Sequence, residues 1–187
     1  MRIQEILSNV TDELRACFDN LKEEELQALE AEIKAANRIF VAGAGRSLLM
    51  IRGMAMRLMH MGFNAYVVGE TVTPAILPGD LLVIASGSGT TGTLTVMAQK
   101  CKKVGAKLAL ITTRPDSPIG EMADVTVEVR AATTKDVQSV AKSIQPGANT
   151  FEQSVLLIGD AIVIDIISGE NLDEKNVELM QRHANLE

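Results

Sequence analysis

The stretch Leu81 to Thr93, LLVIASGSGTTGT, carries the residue types and spacing best suited to chemistry. Leu81 to Ala85 is an apolar run of strand length, and it gives way abruptly to glycines alternating with small hydroxyl residues. Leu94, Met97, Ala98, Cys101 and Val104 then resume with helical spacing. The loop between them joins a strand's carboxyl end to a helix's amino end, where free backbone N–H groups and the positive end of the helix dipole converge. Ser86, Gly87, Ser88, Gly89, Thr90 and Thr91 form the candidate cradle, with the four hydroxyls as added donors. A phosphate monoester fits such a cradle. The plainer alternative is a glycine-rich turn ahead of a capped helix.

Two better-known phosphate motifs come close and fail. Gly87 to Gly92 satisfies GxGxxG, but the next strand ends in Thr112-Thr113-Arg114 where a dinucleotide site wants an acidic residue for the ribose. A P-loop is one residue away, and Thr93 stands where its lysine belongs. Nucleotides are therefore disfavoured, and a small phosphate held without metal remains. Gly43-Ala44-Gly45-Arg46-Ser47 offers a second turn of the same kind, with Ser47 at a helix start. Arg46 fits either a substrate oxygen or a surface ion pair.

These turns need a scaffold, and the chain supplies an alternating one. Arg38 to Ala42, Asn64 to Val68, Leu81 to Ala85, Lys107 to Thr112 and Val125 to Val129 read as five strands separated by helical segments. Polar residues alternate in the fifth, as at a sheet edge. The expected fold is α/β, a three-layer doubly wound five-stranded parallel sheet of flavodoxin-like type with an N-terminal helical extension. Ligands bind such sheets at the strands' carboxyl ends near the reversal of strand order, so the loops after strands one and three should face one another.

An amphipathic helix, Ile3 to Leu21, and a second, acidic one, Leu21 to Ala36, precede the first strand, and the opening helix either covers the core or docks on another subunit. From Leu48 to Met61 apolar residues occupy nearly every side, so one side meets the sheet and the other is expected to meet a partner subunit, the alternative being an internal core helix. Arg130 to Thr150 is polar, without sustained periodicity, and reads as a long functional connection. It leads to Phe151-Glu152-Gln153, a helix from Val155 to Ile167, and a last helix over Asp173 to Ala184. The 187 residues suit a single domain, with helices over 1–36 and the α/β core and C-terminal helix over 38–187.

The totals exclude several classes. A formal net charge of −6 with 3% aromatics and no basic block argues against nucleic acid. No apolar run reaches membrane length, and MRIQEILSNVTDEL lacks the core of a signal peptide, so a cytoplasmic location is expected. Cys17 and Cys101 make no CxxC pattern and read as buried thiols.

AGAGRS, VIASGSGTT, Ser117-Pro118 before Ala123-Asp124, SIQP leading to FEQ, and the final RHANLE together carry a resemblance. The chain resembles the sugar isomerase (SIS) domain proteins over nearly its whole length, and within them the hexulose-phosphate branch. Gly-Ala-Asn-Thr after Pro146 departs from that pattern. The resemblance implies interconversion of D-arabino-hex-3-ulose 6-phosphate and D-fructose 6-phosphate, in formaldehyde fixation by the ribulose monophosphate route. That reaction needs no redox cofactor, no cofactor or metal is expected, and the all-round apolar helix makes a homo-oligomer, a tetramer, the expected assembly. Such a carbonyl migration needs a base that moves a proton between C2 and C3 through an enediol, and a group that steadies the oxyanion. Glu152 is the candidate base. A helix start favours its ionised form while partial desolvation by Phe151 opposes it. His183 is the candidate for shuttling the proton between O2 and O3, provided the last helix folds back or enters a neighbour's cleft. His60 is the alternative and reads as structural. The rival readings are a non-catalytic sugar-phosphate-binding module and an aldose-ketose isomerase of another sugar phosphate. The acidic helices before Arg38 do not resemble the DNA-binding segment that a regulator would carry.

Overall fold

A computed structural model describes residues 2–131, 143–147, 149–169 and 171–186. Among the described residues, six α-helices and five strands follow in the order α1 (Ile3–Phe18), α2 (Glu23–Ala35), β1 (Ile39–Gly43), α3 (Arg46–His60), β2 (Ala65–Val67), β3 (Leu81–Ala85), α4 (Gly92–Val104), β4 (Lys107–Thr112), β5 (Val125–Glu128), α5 (Asn149–Ile167) and α6 (Leu172–Arg182), with a short 3-10 turn at Gly120–Met122 before β5. All strand pairs are parallel, in the order β2-β1-β3-β4-β5. Most of the Arg130 to Thr150 connection lies outside the described residues.

β1 and β3 are apolar throughout, and β4 is apolar between Lys107 and Thr112, because each feeds two cores at once. Ile39 and Val41 of β1, Leu81 and Val83 of β3, and Ala109 and Ile111 of β4 pack with α2, α3 and α5. The intervening Phe40, Leu82, Ile84, Leu108 and Leu110 turn the other way, onto Leu94, Ala98 and Cys101 of α4. In the edge strand β5 only the first core is served, by Val125 and Val127, which accounts for the polar alternation in the sequence. The two cysteines are free and buried.

The N-terminal helices belong to the first layer. Leu29 and Ile33 of α2 and Cys17 of α1 sit in the sheet-facing core, whereas Ile3 and Leu7 at the start of α1 are exposed. α3 presents Ile51, Met54, Ala55 and Leu58 inward and leaves Leu49, Met56 and Met59 at the surface of the isolated chain. It packs on α5 so closely that a Cβ on Gly159 would lie 2.9 Å from the Met54 Cβ.

Most element ends shift by one to three residues from the sequence reading, and the start of α5 shifts furthest. Phe151-Glu152-Gln153 is not a lead-in, since α5 already begins at Asn149. Phe151, Val155, Ile158 and Ile162 form its buried stripe, and the buried Ser154 hydroxyl donates to the Thr150 carbonyl at 2.7 Å. Polar side chains on the buried face hide the helical period in the first turn.

Candidate active site

Strand order reverses between β1 and β3, so the turns that follow them leave adjacent strand ends, with Gly43 paired to Ala85. That is where a doubly wound sheet opens a crevice. The turn after β1 needs its glycines. Gly45 has φ of 57°, and a Cβ on Gly43 would lie 2.8 Å from the Leu48 nitrogen at the start of α3.

The loop after β3 is fixed from beneath by the end of β4. The Gly87 carbonyl accepts the Thr113 N–H at 3.1 Å, the Thr113 hydroxyl at 2.8 Å and the Thr112 hydroxyl at 3.1 Å. The Ser86 hydroxyl, itself buried, accepts the Gly89 N–H at 3.2 Å. The Ser88 hydroxyl oxygen accepts the Thr90 hydroxyl at 3.1 Å. Gly89 takes φ of 59° and is roofed by Ser117, whose Oγ would lie 1.8 Å from an added Cβ. Thr91 is the N-cap residue of α4, with extended backbone. A recess of about 220 Å³ opens here, lined by Ser88, Thr90, Thr113, Arg114, Asp116 and Ser117 among others. Hydroxyls line it beside the amino end of α4, a donor set that suits an anion's oxygens, and the Arg114–Asp116 pair forms part of its wall. Arg114 also pairs with Asp116 at 3.3 Å and holds that carboxyl below the usual range.

Arg46 and Glu152 meet. Arg46 Nη1 donates to Glu152 Oε2 at 2.8 Å and to the Asn149 side-chain oxygen. The side chain of Glu152 is 14% exposed and that of Arg46 43%, so the carboxylate is sheltered and the guanidinium faces solvent. Asn149 and Glu152 stand three residues apart, on one face of α5. Between them Phe151, fully buried, packs its ring on Gly87, where an added Cβ would touch it at 3.4 Å. One helical turn thus joins the carboxylate to the hydroxyl-rich loop. Ser47 follows Arg46 in the first turn of α3.

His183 is elsewhere. α6 folds back onto the far end of α3, where the His183 and His60 rings stack with centroids 5.4 Å apart and Arg182 donates to the His60 carbonyl at 3.2 Å. Arg46 and His60 are the two ends of this 15-residue helix, about 21 Å apart at the α-helical rise. Within one chain, therefore, His183 is not brought to Glu152. His60 is buried at the end of α3.

The sequence reading missed Asn149 and Arg114 as site residues. Arg114 carried a usable signal, because it stands just past the strand that borders the loop. Asn149 carried none, because its role depends on α5 starting earlier than its apolar period. Among the described residues, no three His, Cys, Asp or Glu side chains gather to hold a metal ion, and no helix is long and apolar enough to cross a membrane.

A doubly wound parallel sheet with a hydroxyl-rich loop at its switch point and a guanidinium-held carboxylate beside it defines the α/β class of the protein. The chain belongs to the SIS domain family, which residues 32–157 match. It is 39% identical over 187 residues, the full length of both chains, to the 3-hexulose-6-phosphate isomerase of Bacillus subtilis. It is 42% identical to that of Mycobacterium gastri, covering 97% of this chain and 89% of the relative. Its fold superimposes with a TM-score of 0.80 and 33% identity on a Methanococcus jannaschii protein whose crystal structure infers a function of 3-hexulose-6-phosphate isomerase, covering 100% of both chains.

Proposed function

We propose that the protein is a 3-hexulose-6-phosphate isomerase, interconverting D-arabino-hex-3-ulose 6-phosphate and D-fructose 6-phosphate. Full-length relatives at 39% and 42% identity bear that name, and the observation that carries the chemistry is the Arg46–Glu152 pair tied through Phe151 to the loop. The phosphate sits on Ser86, Gly87, Ser88, Gly89, Thr90 and Thr91, with Arg114 beside it. From there the hexulose chain reaches towards Arg46, Ser47 and Glu152.

Glu152 takes the proton from C2 of the 3-ketose, the electrons of that C–H bond form the C2–C3 double bond, and the C3 carbonyl oxygen becomes the enediolate oxygen. Return of the proton to C3 and loss of the O2 proton give the 2-ketose. Arg46, already aimed at the carboxylate, lies where it can neutralise the enediolate as charge moves from Glu152 to substrate. Transfer of the hydroxyl proton between O2 and O3 falls to His183 of a neighbouring subunit.

That assignment requires a homo-oligomer, which we take to be a tetramer. Its support is the apolar surface of the packed helices α3 and α5, where Leu49, Met56, Leu157 and Ile164 are all exposed. The reading extends to a cytoplasmic enzyme of the ribulose monophosphate route. Incubation with D-fructose 6-phosphate, followed by 13C NMR, tests the activity: a 3-ketose carbonyl is expected. An aldose phosphate instead, or no turnover at all, overturns the reading in favour of another isomerase or a binding module.

A further inference from the structure

Glu13 lies on α1, outside the candidate site, and its carboxylate accepts four hydrogen bonds from residues near the start of α5. Glu13 Oε1 accepts the Ile144 N–H at 2.8 Å. Its Oε2 accepts the Ser143 hydroxyl at 2.7 Å, the Gln145 amide at 3.1 Å and the Thr150 hydroxyl at 3.3 Å. The donors also support one another, because the Gln145 amide donates to Thr150 Oγ1 at 3.2 Å and the Gln145 N–H to Ser143 Oγ at 2.9 Å. The Thr150 hydroxyl both gives and receives, donating to Glu13 and accepting from Gln145.

Thr150 is the link to chemistry. It is buried in the first turn of α5, between Asn149 and Phe151 and two residues before Glu152. Successive helical side chains point about 100° apart, so this turn is gripped in three directions. Asn149 and Glu152 go to Arg46, Phe151 goes to Gly87, and Thr150 goes to Glu13. Releasing one grip lets the turn rotate about the other two and shifts the Glu152 carboxylate.

We propose that Glu13 is a positioning residue for the isomerisation, holding Glu152 on Arg46 through the Thr150 hydroxyl and the 143–145 segment. This rests on the reading of Glu152 as the base. The carboxylate suits the role because burial, which raises its pKa, is outweighed by the hydrogen bonds from Ile144, Ser143, Gln145 and Thr150, which keep it below the usual carboxylate range and ionised. A carboxylate at the amino end of α5 is also favourably placed against the helix dipole.

The test compares Glu13→Gln, Thr150→Val and the double variant in the full-length protein with D-fructose 6-phosphate. Displacement of a base by a fraction of an ångström predicts kcat lower by about ten- to a hundredfold in each single variant, with KM changed less than about threefold. Because both side chains act through one contact, the double variant should be no slower than the slower single. A residue that only supported the fold would lower the fraction of active protein and Tm, and its loss would multiply with that of Thr150. Should Glu13→Gln fail to fold, Thr150→Ser against Thr150→Val carries the comparison, and the hydroxyl should restore kcat. Unchanged kcat in Glu13→Gln, or losses that multiply in the double variant, overturn the proposal. An active Glu152→Gln would instead overturn the assignment of the base, a distinct result.

Discussion

Arg46 and Glu152, 106 residues apart in the chain, meet at 2.8 Å across the mouth of the sheet. The contact joins the turn after β1 to the first turn of α5, and through Phe151 both are tied to the loop after β3. An arginine that only decorated the surface could be removed at little cost. Here Arg46→Ala should lower kcat by about a hundredfold, as loss of one preorganised oxyanion donor does, while KM stays within a few-fold. Steady-state kinetics checks this, and an equal loss in KM alone would assign Arg46 to substrate binding.

Gly89 has a positive φ and no room for a side chain against Ser117. Gly89→Ala must move the loop, either to relieve the φ or to clear the hydroxyl. KM for the sugar phosphate should rise at least about tenfold, which corresponds to roughly 1.4 kcal/mol of binding. Isothermal titration with inorganic phosphate should weaken in parallel.

Much of this arrangement was legible in the residues. The strands of the sheet, the loop Leu81 to Thr93 and the glycine turn before Arg46 follow from apolar runs ending in small residues. Their adjacency follows from doubly wound topology. What sequence reading could not supply was the convergence of distant side chains. Arg46 offered two fates, and only the fold shows its partner to be Glu152 and Asn149. The apolar period of α5 is legible only from Val155 because Thr150 and Ser154 are polar yet buried, their hydroxyls satisfied locally or by Glu13. The place of His183 was likewise open, because nothing in its own segment says which part of the fold α6 returns to.

The His60 ring is buried beneath His183, with its Nδ1 lacking a hydrogen-bond partner among the described residues. Burial, then the neighbouring His183 and Arg57, lower its pKa below the ordinary 6.5. Protonation therefore favours the unfolded chain. The stabilisation is complete above pH 6.5 and is lost as pH falls through the lowered value. Tm should drop on acidification below that point, and His60→Leu should flatten the dependence in scanning calorimetry. A slope unchanged in the variant would assign it to other groups.

Separation of His183 from Glu152 by the length of α3 makes a composite site testable by mixing. Glu152→Gln and His183→Ala proteins, each of low activity, should regain activity when dissociated and reassembled together, because some sites then receive both intact side chains. Light scattering should show an oligomer before and after. No recovery in mixed oligomers would remove His183 from the reaction.

The central claim is that Glu152 moves a proton between C2 and C3 of a ketose phosphate. Deuterium incorporation into D-fructose 6-phosphate in D2O, followed by NMR, tests it most directly. The native protein should place deuterium at C3 as the 3-ketose accumulates, and Glu152→Gln should slow that exchange by at least about a hundredfold while the sugar phosphate still binds. Exchange by Glu152→Gln at the native rate, or label at C1 instead of C3, would contradict it.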